Sequence, residues 1–349
     1  MKDYLYKLAT DQKNDWLAKS IKLDLRCASF VYGWLADCAK AVTKPTHLSR
    51  KVISVGNITW GGTGKTPLLE FLITVLKDRG IKPVVLTRGY KASKDLNGQN
   101  DETKLLKQAH PDVPVLAGSD RVANAVEYLK SNSCDVFLLD DGFQHWKLSR
   151  DLDIVVINAI NPFGNRALIP RGILREPVRS LKRAGIIVLS KVDQANPAEL
   201  ENLIQEIRSS NPDSLIVKAV HRPVSFWDIK NRKDVPLQDL KGKEAVSFSS
   251  IGDPGSFLKL VLRLGVHLND NISFLDHHLY IQGDIDRIDQ MCKATNSPYL
   301  ITTTKDAVKL PGVMSHFDKG LSVLALKVKL EILEKEEEFL KKILSVMNV

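Results

Sequence analysis

The chain has 349 residues, enough for one large domain or two smaller ones, each with its own core. Apolar residues make up 44% and charged residues 26%, the balance of a globular protein, with no collagen-like, low-complexity or repeat pattern. The net charge of +9 favours an anionic partner: nucleic acid, an acidic membrane surface or a phosphorylated substrate. The four cysteines (Cys27, Cys38, Cys134 and Cys292) form no C-x-x-C pair, so neither a zinc site nor a redox motif is signalled.

Residues 1–50 stand apart. Through Lys51 they carry ten Lys/Arg against five Asp/Glu, and Cys27 to Ala36 contain no charge. Ten residues are too few to cross a bilayer as a helix, which takes roughly 20. Ala28, Val31, Leu35 and Cys38 recur at helical spacing, with Trp16, Phe30, Tyr32 and Trp34 nearby and Lys19, Lys22 and Arg26 ahead. The pattern predicts an amphipathic segment, either resting on an anionic leaflet or packed on the protein's own core.

From Lys51 strands and helices alternate. "KVISVG" reads as a strand, "KTPLLEFLITVLKDRG" as a helix with Pro67 in its first turn and Gly80 at its end, and "KPVVLTRG" as a strand. "RVANAVEYLKS" reads as a helix; "CDVFLLDD", "LDIVVINA" and "AGIIVLSKVD" read as strands. Short Val/Ile/Leu runs between helices predict a mostly parallel sheet covered on both faces. A polar stretch from Asn211 to Pro236, with prolines at 212, 223 and 236, precedes a further strand and helix. The expected organisation is therefore an N-terminal amphipathic segment over 1–50, a P-loop NTPase-type α/β domain over 51–219, and a smaller C-terminal α/β lobe over 220–349 that completes an active-site cleft. The tail from Leu330 reads as an amphipathic helix.

The strand–helix junction "GNITWGGTGKT" is a phosphate-binding loop. Gly61, Gly62 and Gly64 let the backbone curl around anionic oxygens, Thr63 lies between them, Lys65 reaches the β- and γ-phosphates, and Thr66 offers its hydroxyl to Mg²⁺. Thr59 stands where the usual pattern opens with glycine. The run "VFLLDD" ends in Asp140-Asp141, the carboxylates that a P-loop needs for its metal. Three further groups suit phosphoryl transfer to a hydroxyl: Asp101-Glu102, the Asp276-His277-His278 triplet, and arginines near predicted strand ends, Arg88, Arg121, Arg171 and Arg175.

In order along the chain, "VGNITWGGTGKTP", "TRGY", "AGSDRV", "DDGFQHWKLSRDLDIVVINA", "PRGILREP", "FSSIGDP", "DHH" and "TTTKDAVKL" resemble the tetraacyldisaccharide 4'-kinase family, from about Val52 to Leu310. The family also usually has Thr at the position of Thr59. The resemblance implies transfer of the γ-phosphate of ATP, with Mg²⁺, to the 4'-hydroxyl of an acylated disaccharide 1-phosphate lipid, giving lipid IVA for lipid A. It implies peripheral attachment at the cytoplasmic face of the bacterial inner membrane, with no nucleic acid and no obligate protein partner. The family's catalytic aspartate falls on Asp101, although Asn100 and Thr103 depart from its "GDEP" pattern; Glu102 becomes a metal-shell carboxylate. The aspartate's partner falls on His277, with His278 left open. Tyr90, Arg121, Arg175 and Glu176 match headgroup or cleft positions, and Gln144 and His145 the nucleotide side.

Three rivals compete with this family. "LSKVD", Leu189 to Asp193, resembles the guanine-reading N-K-x-D of GTPases with Ser190 for the asparagine. A P-loop beside a basic amphipathic segment also suits a membrane-binding partitioning ATPase. A basic nucleic-acid binder has neither a recognised module nor aromatic–basic interleaving in its favour.

Overall fold

The protein is described here from a computed structural model, over residues 2–13, 15–89 and 101–347. The elements in chain order are α1 (Lys2–Ala9), α2 (Trp16–Val42), β1 (Lys51–Gly56), α3 (Lys65–Lys77), β2 (Pro83–Thr87), α4 (Asp101–Ala109), β3 (Val115–Ala117), α5 (Arg121–Ser131), β4 (Val136–Asp140), β5 (Leu152–Asn158), β6 (Ile186–Ser190), α6 (Pro197–Ser210) and β7 (Leu215–Asp228). They continue with β8 (Lys233–Val235), β9 (Glu244–Ser249), α7 (Pro254–Arg263), β10 (His267–Ser273), α8 (Gln282–Ala294), β11 (Tyr299–Thr303), α9 (Thr304–Ala307), β12 (Ser322–Ile332) and α10 (Glu336–Val346). The contacts divide the chain into two units. One comprises Met1–Arg88, Val113–Val220 and Ile332–Val349, the other Gly89–Asp112 and His221–Glu331.

The first unit holds parallel strands in the order β3-β2-β4-β1-β5-β6, with 215–219 of β7 beside β6. The strands are apolar on both faces: β2, β4 and β6 are buried along their whole length. β1 lies between β4 and β5, and the crossover from β1 runs to β2 on one side while that from β4 runs to β5 on the other. That is the switch point at which open α/β sheets bind ligands, beyond the carboxyl ends of the strands. Gly56 ends β1 because a Cβ there would come within 2.6–2.7 Å of Phe143. α3 follows, with Pro67 in its first turn and Leu68, Leu69, Leu72, Ile73 and Leu76 buried. The helix ends at Lys77, and Gly80 supplies the left-handed turn beyond it (φ 74°).

α2 packs with an inverted face. Its buried and half-buried positions, Ala18, Ile21, Lys22, Leu25, Ser29, Tyr32, Gly33, Ala36 and Lys40, are mostly small or polar. Ser29 Oγ donates to the Leu168 carbonyl at 2.8 Å and Tyr32 to the Arg175 carbonyl at 3.1 Å. Gly33 is needed where the helix passes Leu168, whose Cδ1 would lie 2.8 Å from an added Cβ. Asp11 secures the α1–α2 connection, accepting from Asn165 and Arg171 at 2.9 Å and pairing with Lys22 at 2.5 Å. The aromatic side faces outward: Trp16, Leu23, Phe30, Val31, Trp34, Leu35 and Val42 are exposed and fall within an arc of about 140° on a helical projection. The predicted stripe of Ala28, Val31, Leu35 and Cys38 is exposed throughout. Among the described residues, no helix is long and apolar enough to cross a membrane.

The second unit orders its strands β10-β9-β11-β12 and then the later part of β7, whose end pairs antiparallel with β8 at Phe226–Asp228. The polar stretch from Asn211 is thus mostly strand rather than linker. Residues 220–228 alternate between buried or half-buried and more exposed positions, which gives a half-polar sequence. Residues 89–112 group with this unit through α4, whose Leu106 and Thr103 are buried. The tail also corrects the sequence reading. Leu330 and Ile332 are inward positions of β12 with Glu331 exposed between them, and the helix begins only at Glu336, with its three glutamates exposed. Phe339 of α10 meets Phe71 of α3 edge-on at 6.1 Å, which places the tail in the first unit.

Burial on α3 pushes the Glu70 carboxyl up to about 7. The folded chain therefore holds this proton more tightly than the unfolded chain. Stability is lost as pH rises from the ordinary glutamate range through 7. Glu70→Gln is expected to raise the thermal midpoint at pH 8 by several degrees and to change it little at pH 5, in paired melts at the two pH values.

Candidate functional site

The phosphate loop runs from the end of β1 to the start of α3. Gly61 and Gly64 adopt positive φ (116° and 94°), a conformation that side chains resist, and Gly64 caps α3. Thr59 needs no such freedom. It is buried and forms an antiparallel bridge with Leu174, flanked by Trp60 N–H to the Ile173 carbonyl (2.6 Å) and Arg175 N–H to the Ile58 carbonyl (2.7 Å). The first half of the loop is thus an extended strip zipped to "ILR", a role for which threonine is suited. Trp60 itself is exposed.

β4 delivers the two carboxylates differently. Asp140 is buried and accepts from the Thr87 hydroxyl at 3.2 Å. Asp141 turns out of the strand with φ 48°, a left-handed residue of the kind that clusters at functional sites. Gly142 permits the turn, because a Cβ there would meet Ser54 Oγ at 2.6 Å and Leu139 at 2.7 Å. The Asp141 carboxylate accepts from Arg175 Nη1 at 2.8 and 3.0 Å and lies 3.4 Å from Lys65 Nζ. Burial alone would raise its pKa, but Lys65 and Arg175 outweigh burial and hold it well below the usual carboxylate range. Arg121, also buried, reaches the Asp141 carbonyl at 3.4 Å, and desolvation lowers its pKa.

Behind this turn lies a brace. Gln144 Nε2 donates to the Asn57 carbonyl and to Glu176 Oε1, both at 3.0 Å. Buried Glu176 also accepts from Arg183 at 2.9 and 3.0 Å, and the Arg183 guanidinium covers the Phe143 ring at 4.1 Å. Glu176, predicted on the substrate side, therefore has its carboxylate engaged by Gln144 and Arg183. His145 has a buried Nε2 with no hydrogen-bond partner among the described residues, and burial lowers its pKa to about 4, so its ring is neutral at pH 7. Arg171 pairs with Asp11 rather than with these carboxylates, and Arg88 is exposed just beyond β2. Tyr90 lies outside the described residues.

In the second unit Asp101 opens α4 and is only 4% exposed. His277 Nδ1 lies 3.0 Å from both of its carboxylate oxygens. An ionised carboxylate only accepts, so Nδ1 carries a hydrogen, while Nε2 lies 3.8 Å from Asp276 Oδ2. His277 is itself left-handed (φ 61°). His278 points elsewhere, pairing with Asp284 at 2.8 Å and stacking on Phe274, so His277 is the partner of Asp101. Burial would raise the pKa of Asp101, but the His277 hydrogen bond and the charge of Lys305 bring it to about 2.

Lys305 escaped the sequence reading. Its Nζ lies 3.3 Å from Glu102, 3.4 Å from Asp276 and 4.0 Å from Asp101. Burial opposes its charge, but the three carboxylates raise its pKa. α9 presents it, held by buried Asp306, which accepts from the Ser250 backbone and hydroxyl, the Thr303 hydroxyl, the Tyr280 hydroxyl and Lys309. The only sequence signal was the lysine in "TTTKDAVKL".

Thr66, Asp140 and Asp141 offer hard oxygen donors of the kind Mg²⁺ prefers. No cluster of three or more His, Cys, Asp or Glu able to hold a metal occurs among the described residues. One or two carboxylates suit a Mg²⁺ that takes its remaining ligands from water and phosphate. Glu102, predicted in the metal shell, has its carboxylate on Lys305.

The profile of the family described as "Tetraacyldisaccharide-1-P 4'-kinase" matches residues 21–348. The chain is 37% identical over 335 residues to a tetraacyldisaccharide 4'-kinase of Elusimicrobium minutum, covering 90% of this chain and 86% of that one. It is 32% identical over 357 residues to a probable mitochondrial tetraacyldisaccharide 4'-kinase of Arabidopsis thaliana, covering 90% and 88%. The crystal structure of LpxK from Aquifex aeolicus in complex with ATP superposes with a TM-score of 0.68 at 28% identity, over 94% of this chain and 99% of that one.

Proposed function

The chain belongs to the tetraacyldisaccharide-1-P 4'-kinase family, and from that premise we propose that it moves the γ-phosphate of ATP to the 4'-hydroxyl of an acylated glucosamine disaccharide 1-phosphate, giving lipid IVA. The observation that carries the chemistry is the pairing of buried Asp101 with His277 at 3.0 Å.

ATP lays its phosphates on Gly61–Thr66, where backbone N–H groups and the start of α3 favour negative charge. Lys65 leaves Asp141 for the β- and γ-oxygens, and Arg121 and Arg175 add positive charge at the same end of the sheet. Thr66, Asp140 and Asp141 would hold Mg²⁺, which supplies neutralisation of the charge on the transferring phosphoryl group. Gln144 and His145 border the nucleotide side. Asp101, ionised at neutral pH, accepts the proton of the acceptor hydroxyl, and His277 Nδ1–H fixes the carboxylate's orientation. A carboxylate with a low pKa suffices because phosphoryl transfer passes through a loose transition state, in which positioning outweighs base strength.

The expected assay outcome uses γ-labelled ATP, Mg²⁺ and the disaccharide 1-phosphate lipid. Lys65→Ala should lose about 10²–10³ in kcat, the scale of removing one preorganised electrostatic donor. Asp101→Ala and His277→Ala should each lower kcat, and the double variant should be no worse than the weaker single one, because the pair acts as a unit. Unchanged kcat in both single variants would remove the proton-acceptor assignment.

The exposed face of α2 supports peripheral attachment to the cytoplasmic face of the bacterial inner membrane. An arc of Trp, Phe, Leu and Val edged by exposed Lys19 and Arg26 supplies the two terms that surface docking needs, apolar insertion and attraction to anionic lipid. Phe30→Ser/Trp34→Ser is expected to weaken co-sedimentation with phosphatidylethanolamine–phosphatidylglycerol vesicles at least tenfold. Its kcat on detergent-dispersed lipid should stay within twofold of the parent.

A further inference from the structure

The motif "LSKVD" resembles a base-reading sequence, yet its first two polar side chains turn to the phosphate loop. Ser190, the last residue of β6, is fully buried, and its Oγ donates to the Thr63 carbonyl at 2.7 Å. Lys191 is 4% exposed and its Nζ donates to the Gly62 carbonyl at 3.2 Å. Lys191 does this from a left-handed backbone conformation (φ 60°), which a non-glycine residue adopts only when its surroundings impose it. Asn57 adds a third tie, donating to Thr63 Oγ1 at 3.2 Å.

The consequence follows from peptide geometry. A trans peptide is planar, and its C=O and N–H point in opposite directions. Holding the Gly62 carbonyl toward Lys191 aims the Thr63 N–H the other way. Holding the Thr63 carbonyl toward Ser190 does the same for the Gly64 N–H. A glycine-rich loop has little torsional preference of its own, so without such ties its amides sample many directions. An anion site built from backbone amides works only if the amides converge before the ligand arrives.

We propose that Ser190 and Lys191 are positioning residues that preset the amides of the phosphate loop, acting on the triphosphate and not on the base. This rests on reading Gly61–Thr66 as the phosphate site. Steady-state kinetics, varying each substrate with the other saturating, would be run on Ser190→Ala, Lys191→Met, Lys191→Arg and Lys65→Ala, with inorganic tripolyphosphate as a baseless competitor. The KM for ATP should rise about 3–10-fold in Ser190→Ala and at least about 10-fold in Lys191→Met, the scales of a neutral and a charge-assisted hydrogen bond. The tripolyphosphate inhibition constant should rise by the same factors, the KM for lipid should not change, and Lys191→Arg should recover part of the loss. A KM for ATP within twofold of the parent in Ser190→Ala, the conservative variant that removes one oxygen, would overturn the proposal. So would a rise for ATP without one for tripolyphosphate. Near-normal turnover in Lys65→Ala would instead strike the phosphate-loop reading itself. Loss in Lys65→Ala with no ATP effect in the other variants would strike the positioning role alone.

Discussion

Two adjacent carboxylates at the end of a buried strand, beside a loop made to bind a polyanion, pose a problem of charge. The ionised Asp141 carboxylate repels any triphosphate placed near it. Asp141 is held by Arg175 and Lys65, and much of the first unit's local architecture serves that arrangement. Arg175 is fixed because its own N–H bonds to Ile58 and its guanidinium also meets Asn57 Oδ1 at 3.2 Å. The neighbouring Glu176 is locked by Gln144 and Arg183, which ties the metal-side turn to the loop-side strand end. Removing Arg175 would leave the partly buried Asp141 carboxylate with Lys65 alone, a costlier fault than the loss of one ordinary hydrogen bond.

The second unit meets a similar difficulty with the opposite economy of charge. Here one ammonium, Lys305, serves three carboxylates, and its own placement depends on the buried knot around Asp306 and Lys309. Asp101 thereby stays ionised although it is almost wholly shielded from water. Each unit has a left-handed, non-glycine residue at its carboxylate cluster: Asp141 in one, and His277, the neighbour of Asp101, in the other. Each is a backbone cost sustained by the surrounding contacts, the pattern expected where geometry matters more than local comfort.

Much of this was legible in the sequence because the relevant interactions are short-range. The strand–loop–helix of Ser54 to Leu72 and the apolar strand ending in Asp140 announce themselves by composition and period. Thr59 looked like a defect against the strict motif. The structure gives it a bridge to Leu174, a pairing more than a hundred residues away that no local pattern encodes. The same holds for Ser190, Lys191 and Lys305, whose partners Thr63, Gly62 and Glu102 lie far off in the chain. β7 was obscured for a different reason: a half-exposed strand containing Pro223 resembles a polar connection. The aromatic run of α2 was legible as amphipathic. Only the packing of Ser29, Tyr32 and Gly33 against the body reveals which side faces out.

On the proposed reading, Asp141 would exchange Lys65 and Arg175 for a divalent metal when the triphosphate binds, so that the carboxylate repels bare ATP and attracts the metal complex. Titration calorimetry of ATP with and without Mg²⁺, on the parent and on Asp141→Asn, tests it directly. Mg²⁺ is expected to tighten ATP binding at least tenfold in the parent. In Asp141→Asn that dependence should largely vanish, while the affinity for metal-free ATP rises. An undiminished Mg²⁺ dependence in Asp141→Asn, with metal-free affinity unchanged, would contradict it.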